Sequence, residues 1–157
     1  MEKDQRFLRM AIELSRKGMQ GGQGGPFGCV IVRHGQVVGE GYNRVTSTND
    51  PTAHAEVVAI RDACSRLQSW QLEDCDIYAS CEPCPMCLGA IYWARPRRVV
   101  FANTHQDAAA IAFDDAFIYE ELNKDPGSRK IPFTQISMPE AKAVFDDWLK
   151  MEGKRNY

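Results

Sequence analysis

Apolar runs of two different periods alternate along this chain, and that alternation predicts a layered α/β fold. Two strand-like runs, Phe27 to Val32 and Val37 to Tyr42, flank Arg33-His34-Gly35-Gln36 and read as an antiparallel hairpin. The later strand-like runs are separated by helical ones, so crossovers join them. At 157 residues, the chain is read as one domain spanning 1–157. A chain of that size hides roughly two thirds of its unfolded surface, enough for an ordinary core.

The elements follow in order. Phe7, Leu8, Ala11, Ile12 and Leu14 recur at helical spacing after Asp4, so a first helix is expected to about Gly18. Gly21-Gly22-Gln23-Gly24-Gly25-Pro26 has the glycine density of a phosphate loop, but no Lys-Ser/Thr follows it and it precedes the first strand. It reads as a turn that brings backbone close to a neighbour. After the hairpin comes a polar loop, Asn43 to Thr52, in which Asp50 or Thr52 would cap a helix carrying His54, Ala55, Val58, Ala59 and Ala63. Ile77 to Ser80 is a short strand, and Pro83 suits the first turn of a helix reaching about Arg95. Val99-Val100-Phe101 is a further strand, Ala108 to Leu122 a helix, Pro132 to Ile136 a strand, and Pro139 to Met151 a last amphipathic helix.

Nineteen basic and 21 acidic side chains leave a formal charge of −2, with 44% hydrophobic and 25% charged residues. That is the balance of a globular protein and argues against disorder. The lack of a basic excess argues against a broad nucleic-acid footprint. No apolar run reaches the ~18–20 residues that span a bilayer. The charged start Met1-Glu2-Lys3-Asp4-Gln5-Arg6 has no apolar stretch behind it, so no export signal is expected and a cytoplasmic location is. Six cysteines in such a chain are metal ligands, catalytic groups or filler rather than disulfides.

Chemistry concentrates in two segments, His54-Ala55-Glu56 and Pro83-Cys84-Pro85-Met86-Cys87. Cys84 and Cys87, three apart on a helical first turn, lie on one face and can grip one ion. With His54 they make three ligands, which leaves a tetrahedral zinc one position for water, the pattern of a catalytic site. A helix N-terminus favours thiolate at both cysteines. Glu56 is placed to take a proton from that water and deliver it to a substrate. Three other readings stay open: a redox Cys-x-x-Cys pair, an iron–sulfur ligand set through Cys81, and a structural zinc closed by Cys81. Cys29, Cys64 and Cys75 read as buried filler, and His34 and His105 as solvated.

His-x-Glu followed by Pro-Cys-x-x-Cys is the signature of zinc nucleobase deaminases, so the chain resembles the cytidine deaminase superfamily. Further segments are similar to those of its small bacterial guanine deaminases: Gly25-Pro26-Phe27-Gly28, Asn49-Asp50-Pro51-Thr52, Gly89-Ala90-Ile91-Tyr92-Trp93-Ala94-Arg95 and Phe113-Asp114-Asp115. The resemblance implies a three-layer α/β/α sandwich with a mixed five-stranded sheet. It implies one zinc per subunit on His54, Cys84 and Cys87, with Glu56 as proton shuttle. It also implies a purine-base site formed by Asn43, Phe27, Ala55, Trp93 and Asp115, with Asp114 as the other candidate of the acidic pair. The expected assembly is a homodimer exchanging residues 137–157, so that Tyr157 reaches the partner's site. The implied reaction is hydrolysis of guanine to xanthine and ammonia, with no nucleic-acid or membrane partner. A tRNA adenosine deaminase shares the motif but wants a basic surface, and Arg95, Arg97 and Arg98 are offset by Asp114, Asp115, Glu120 and Glu121. A cytosine- or pterin-type deaminase is a weaker rival. A non-catalytic zinc scaffold would have no use for Glu56.

Overall fold

The computed structural model describes residues 2–157. Strand β1 (Gly28–Arg33) organises the sheet, because its alternating side chains feed two different cores. Cys29 and Ile31 join a cluster with Ala55, Ala59, Ala63, Leu72, Ile77 and Ile91. Val30 and Val32 join Phe7, Ala11 and Tyr78 in a second cluster. Helix α1 (Glu2–Gln20) covers the second cluster through Phe7 and Ala11. Helices α3 (Ala55–Leu67) and α4 (Pro85–Ala94) cover the first. The result is helix, sheet, helix.

The expected hairpin forms: β1 pairs antiparallel with β2 (Gln36–Tyr42), and its turn places His34 and Gly35 at φ 50° and 82°. Strand β3 (Cys75–Cys81) pairs antiparallel with the other edge of β1 and parallel with β4 (Arg98–Asn103). The order is β2-β1-β3-β4, so the sheet is mixed, with four strands among the described residues rather than five. The fifth was expected at Pro132–Ile136, which is extended but in no ladder, every residue of it exposed.

Local features depart from expectation in instructive ways. The polar loop holds one short helical turn, α2 (Val45–Thr48). Helix α3 is capped by neither Asp50 nor Thr52: its N-cap is His54, and Asp50 instead accepts from the Thr52 amide at 2.8 Å. Helix α4 starts two residues later than expected, with Pro85 rather than Pro83 in its first turn and Cys84 as N-cap. The single helix over Ala108–Leu122 is broken into α5 (His105–Ala109) and α6 (Ala116–Leu122). A Thr104–Asp107 capping box starts α5, Ala112 takes φ 70°, and the Asp114 carboxylate accepts the Ala116 amide at 2.9 Å to start α6.

The chain divides into two compact units, one reaching Ala116 and one from Phe117 to Tyr157. The second holds most of α6, a 3₁₀ turn at Pro126–Ser128 and α7 (Pro139–Lys150). Within it, Arg129 donates to the Glu121 carbonyl at 3.2 Å and stacks over Phe133.

Candidate active site

Two helix starts supply the chemistry. Helix α3 is drawn onto β2 because Gly39 and Gly41 have no side chains: a Cβ on Gly39 would meet Ala59 and Ala63, and one on Gly41 would meet the Ala55 carbonyl. That close packing sets the N-terminal end of α3 beside the end of β2, where the Arg44 amide donates to the Ala53 carbonyl at 2.9 Å. Helix α4 leaves the end of β3 directly, so Cys84 and Cys87 arrive at the same place. His54 Nδ1 lies 3.4 Å from Cys84 Sγ and 3.5 Å from Cys87 Sγ. The Cys87 thiol donates to Glu56 at 3.3 Å.

These separations fit one ion. Zn–S near 2.3 Å and Zn–N near 2.05 Å at a tetrahedral angle put sulfur and nitrogen about 3.6 Å apart. The three ligand atoms lie within 4.8 Å of one another, and no fourth protein ligand joins them among the described residues. Cys81, the residue that could have closed the site, instead donates to the Thr104 carbonyl at 3.5 Å, and burial pushes its thiol up to about 11. An open three-ligand centre is a catalytic arrangement, not a structural one.

Hydrogen bonding with Cys87 and His54 brings the Cys84 thiol down to about 4, so a thiolate is available at the ligand position. The interaction with Cys84 and burial in turn raise the Cys87 thiol well above its ordinary range. His54 is raised, chiefly by its hydrogen bond to Cys84. Burial raises the Glu56 carboxyl, whose side chain is almost fully enclosed.

The remaining expected residues fall in different surroundings. Ala55 opens α3 and is buried, and Asn43 is buried at the end of β2. Phe27 is half-buried and meets Phe113 edge-on, with ring centroids 5.0 Å apart. Trp93 lies on α4 with 62% exposure, so it is not core. The acidic pair divides: Asp114 is used as a helix cap, whereas Asp115 is half-buried, and burial raises its carboxyl with the Cys84 charge adding to the effect. Tyr157 belongs to the second unit and is 70% exposed. His105 is not simply solvated: its Nδ1 and its backbone amide both meet Glu82 Oε2, at 2.8 and 3.0 Å. Twenty-three positions separate that pair, and neither residue carries a local signal for it.

The model of the cytidine and deoxycytidylate deaminase zinc-binding region matches residues 1–103. The chain belongs to this deaminase family. It is 54% identical to a guanine deaminase of Bacillus subtilis over 151 residues, covering 96% of this chain and 97% of that protein. The crystal structure of B. subtilis guanine deaminase superposes with a TM-score of 0.95 at 53% identity, covering 98% of both chains. A tRNA-specific adenosine deaminase of Aquifex aeolicus is 28% identical over 144 residues, 92% of each chain. Membership in this family identifies the metal suited to the His54, Cys84 and Cys87 donors as zinc.

Proposed function

We propose that the chain hydrolyses guanine to xanthine and ammonia, in purine catabolism or salvage. The similarity to a guanine deaminase at 54% identity along nearly the whole of both chains carries this reading. The tRNA-specific relative covers 92% of the chain at about half that identity.

His54, Cys84 and Cys87 would hold the zinc. When bound, zinc lowers the pKa of a water ligand to about 7 and so supplies a hydrolytic nucleophile at neutral pH. Glu56 takes the proton that the water gives up. Attack of the water oxygen on guanine C2 pushes a bonding pair onto N3, and Glu56 delivers the proton there. The water's other proton, relayed by Glu56 from the new C2 hydroxyl to the exocyclic amine, makes it a leaving group. The C2–N bond then breaks and a C2 carbonyl forms, so guanine and water become xanthine and ammonia. Asn43, Ala55 and Asp115 contact the polar edges of the base. Phe27 and Trp93 flank its ring, and Asp114 is left to its capping role.

The chain works as a cytoplasmic homodimer whose subunits exchange residues 137–157, so that each site is closed by the partner's Tyr157. Two observations support the exchange. No residue from Phe117 to Tyr157 is buried. Helix α7 carries Ala141, Val144, Phe145, Trp148 and Leu149 at one-face spacing, and all five are exposed. No described helix is long and apolar enough to cross a membrane.

Ammonia release measured in parallel from guanine, adenine, cytosine and tRNA tests the substrate. Guanine is expected to be the preferred one. Robust release from tRNA with none from guanine would overturn the reading.

A further inference from the structure

The glycine-rich loop after α1 has no part in the site as described so far, yet the structure presses it against Asn43. The loop is closed by Gln23 donating to the Gly18 carbonyl at 2.9 Å. The Gln23 carbonyl in turn accepts from the Ser47 amide and the Thr46 hydroxyl, each at 3.2 Å. The loop therefore lies along the segment that follows β2. At the contact, Asn43 Oδ1 accepts from the backbone amides of Gly25 and Val45, both at 3.2 Å.

Those two donors settle which way the Asn43 amide is turned. A carbonyl oxygen has two lone pairs, and here both are taken, whereas an amide nitrogen has none to offer. Turning the side chain over would set its NH2 against two N–H groups and lose both hydrogen bonds. The hydrogen-bonding capacity left over is the pair of Nδ2 donors. Gly24 leaves no slack in this arrangement: a Cβ there would overlap Asn43 Oδ1 and come within 2.7 and 2.9 Å of the Asn43 carbonyl oxygen and carbon.

The place of Asn43, just past the end of β2, brings this to the site. Gly39 and Gly41 of that strand face α3, and the Arg44 amide that follows Asn43 donates to the Ala53 carbonyl, next to His54, at 2.9 Å. Gly39 lies against Ala59 and Ala63, and Gly41 against Ala55. Ala55 follows the α3 N-cap His54, so the chain leaving β2 through Asn43 runs beside the His54 end of the helix.

We propose that Gly24 and Gly25 are positioning residues for base recognition, clamping Asn43 so that its Nδ2 donors, and not its oxygen, are offered to the substrate. This rests on the reading of Asn43 as a base contact, and it deepens it. The base must turn a hydrogen-bond acceptor toward Asn43, and a ring presenting an N–H there is rejected because two donors would face each other.

The test uses the zinc-loaded, full-length protein. Its readouts are KM and kcat on guanine, equilibrium binding of xanthine, zinc content and thermal melting. Gly24→Ala is expected to raise KM about tenfold or more and to weaken xanthine binding in parallel, with kcat and zinc content changed less, as for a lost hydrogen bond to a buried donor. Gly22→Asn, in the same loop where nothing lies within 4 Å of an added Cβ and φ is +66°, should match the parent, because Asn tolerates that backbone. Asn43→Asp keeps an oxygen for Gly25 and Val45 but turns the outward donor into an acceptor. It should melt like the parent and lose base binding. Gly24→Ala with the parent's KM, or Asn43→Asp binding base as well as the parent, would overturn the inference. A wrong substrate assignment would show in the parent protein, as turnover of another base, and the same variants are then read on that base.

Discussion

Residues 2–116 and residues 117–157 use similar apolar side chains in opposite ways. In the first region, α1 lies on one face of the sheet and α3 and α4 on the other, with Phe7, Ile31, Ile77 and Tyr78 essentially inaccessible. In the second, Ile131, Ile136, Phe145 and Leu149 are 69–77% exposed. Apolar side chains at one-face helical spacing are ordinarily buried. The first region thus completes its own core and carries the metal donors and Glu56. The second carries an apolar helix face that calls for a partner, which the proposed exchange would supply.

Mixing two crippled proteins puts this division to its strongest test. Glu56→Gln disables the proton shuttle, and deletion of Asn156 and Tyr157 disables the lid. If tails are exchanged, each mixed dimer joins an intact Glu56 to an intact tail at one of its two sites. Random pairing then restores roughly a quarter of parental activity from two nearly inactive variants. Activity no higher than the mean of the separate variants would break the exchange.

Stability effects come next. Ile77→Ala should cost about 2–5 kcal/mol in urea unfolding, whatever the protein concentration, because its site cannot fully collapse. Leu149→Asp should instead shift sedimentation from dimer toward monomer, with zinc content unchanged. A dimer that keeps its mass would mean that the α7 face is not the one covered.

The smallest effect concerns acid. Asp76 accepts from Arg97 at 2.8 and 2.9 Å and from Arg98 at 3.1 Å, while Asp4 accepts from Tyr78 and Arg98, each at 2.7 Å. These bonds, from Arg97 above all for Asp76 and from Tyr78 for Asp4, hold both carboxyls below their ordinary 3.8. A carboxyl lowered by folding adds stability that is present above its unfolded pKa and lost as pH falls through its folded one. Melting temperature should therefore drop below about pH 4, and Asp76→Asn should flatten part of that slope. An unchanged slope in Asp76→Asn would remove this network from the acid response.

Much of the first region was legible because its signals are local. The hairpin follows from strand-like runs on either side of a Gly turn, α3 from its apolar spacing, and the His54, Cys84 and Cys87 set from ligand type and interval. What escaped depends on contacts distant in sequence or on backbone geometry. The run from Ala108 to Leu122 has the composition of one helix, and only the left-handed Ala112 and the cap at Asp114 break it. Pro132–Ile136 has strand-like residues but no edge in its own unit to pair with. The Glu82–His105 pair depends on where β4 returns beside β3, and the Glu82 amide indeed donates to the Asn103 carbonyl at 2.8 Å. The glycine loop was readable as a close approach, but its target was not.

In the proposed function, His54, Cys84 and Cys87 hold a zinc at which Glu56 moves the protons of guanine hydrolysis. It is tested most directly by following xanthine and ammonia from guanine in the parent protein and in Glu56→Gln, with zinc measured in both. One xanthine and one ammonia per guanine are expected from the parent. The variant should keep its zinc and turn over more slowly by a factor of about 10² to 10⁴ or more. Parental turnover in Glu56→Gln, or a zinc-loaded parent that leaves guanine untouched, would contradict it.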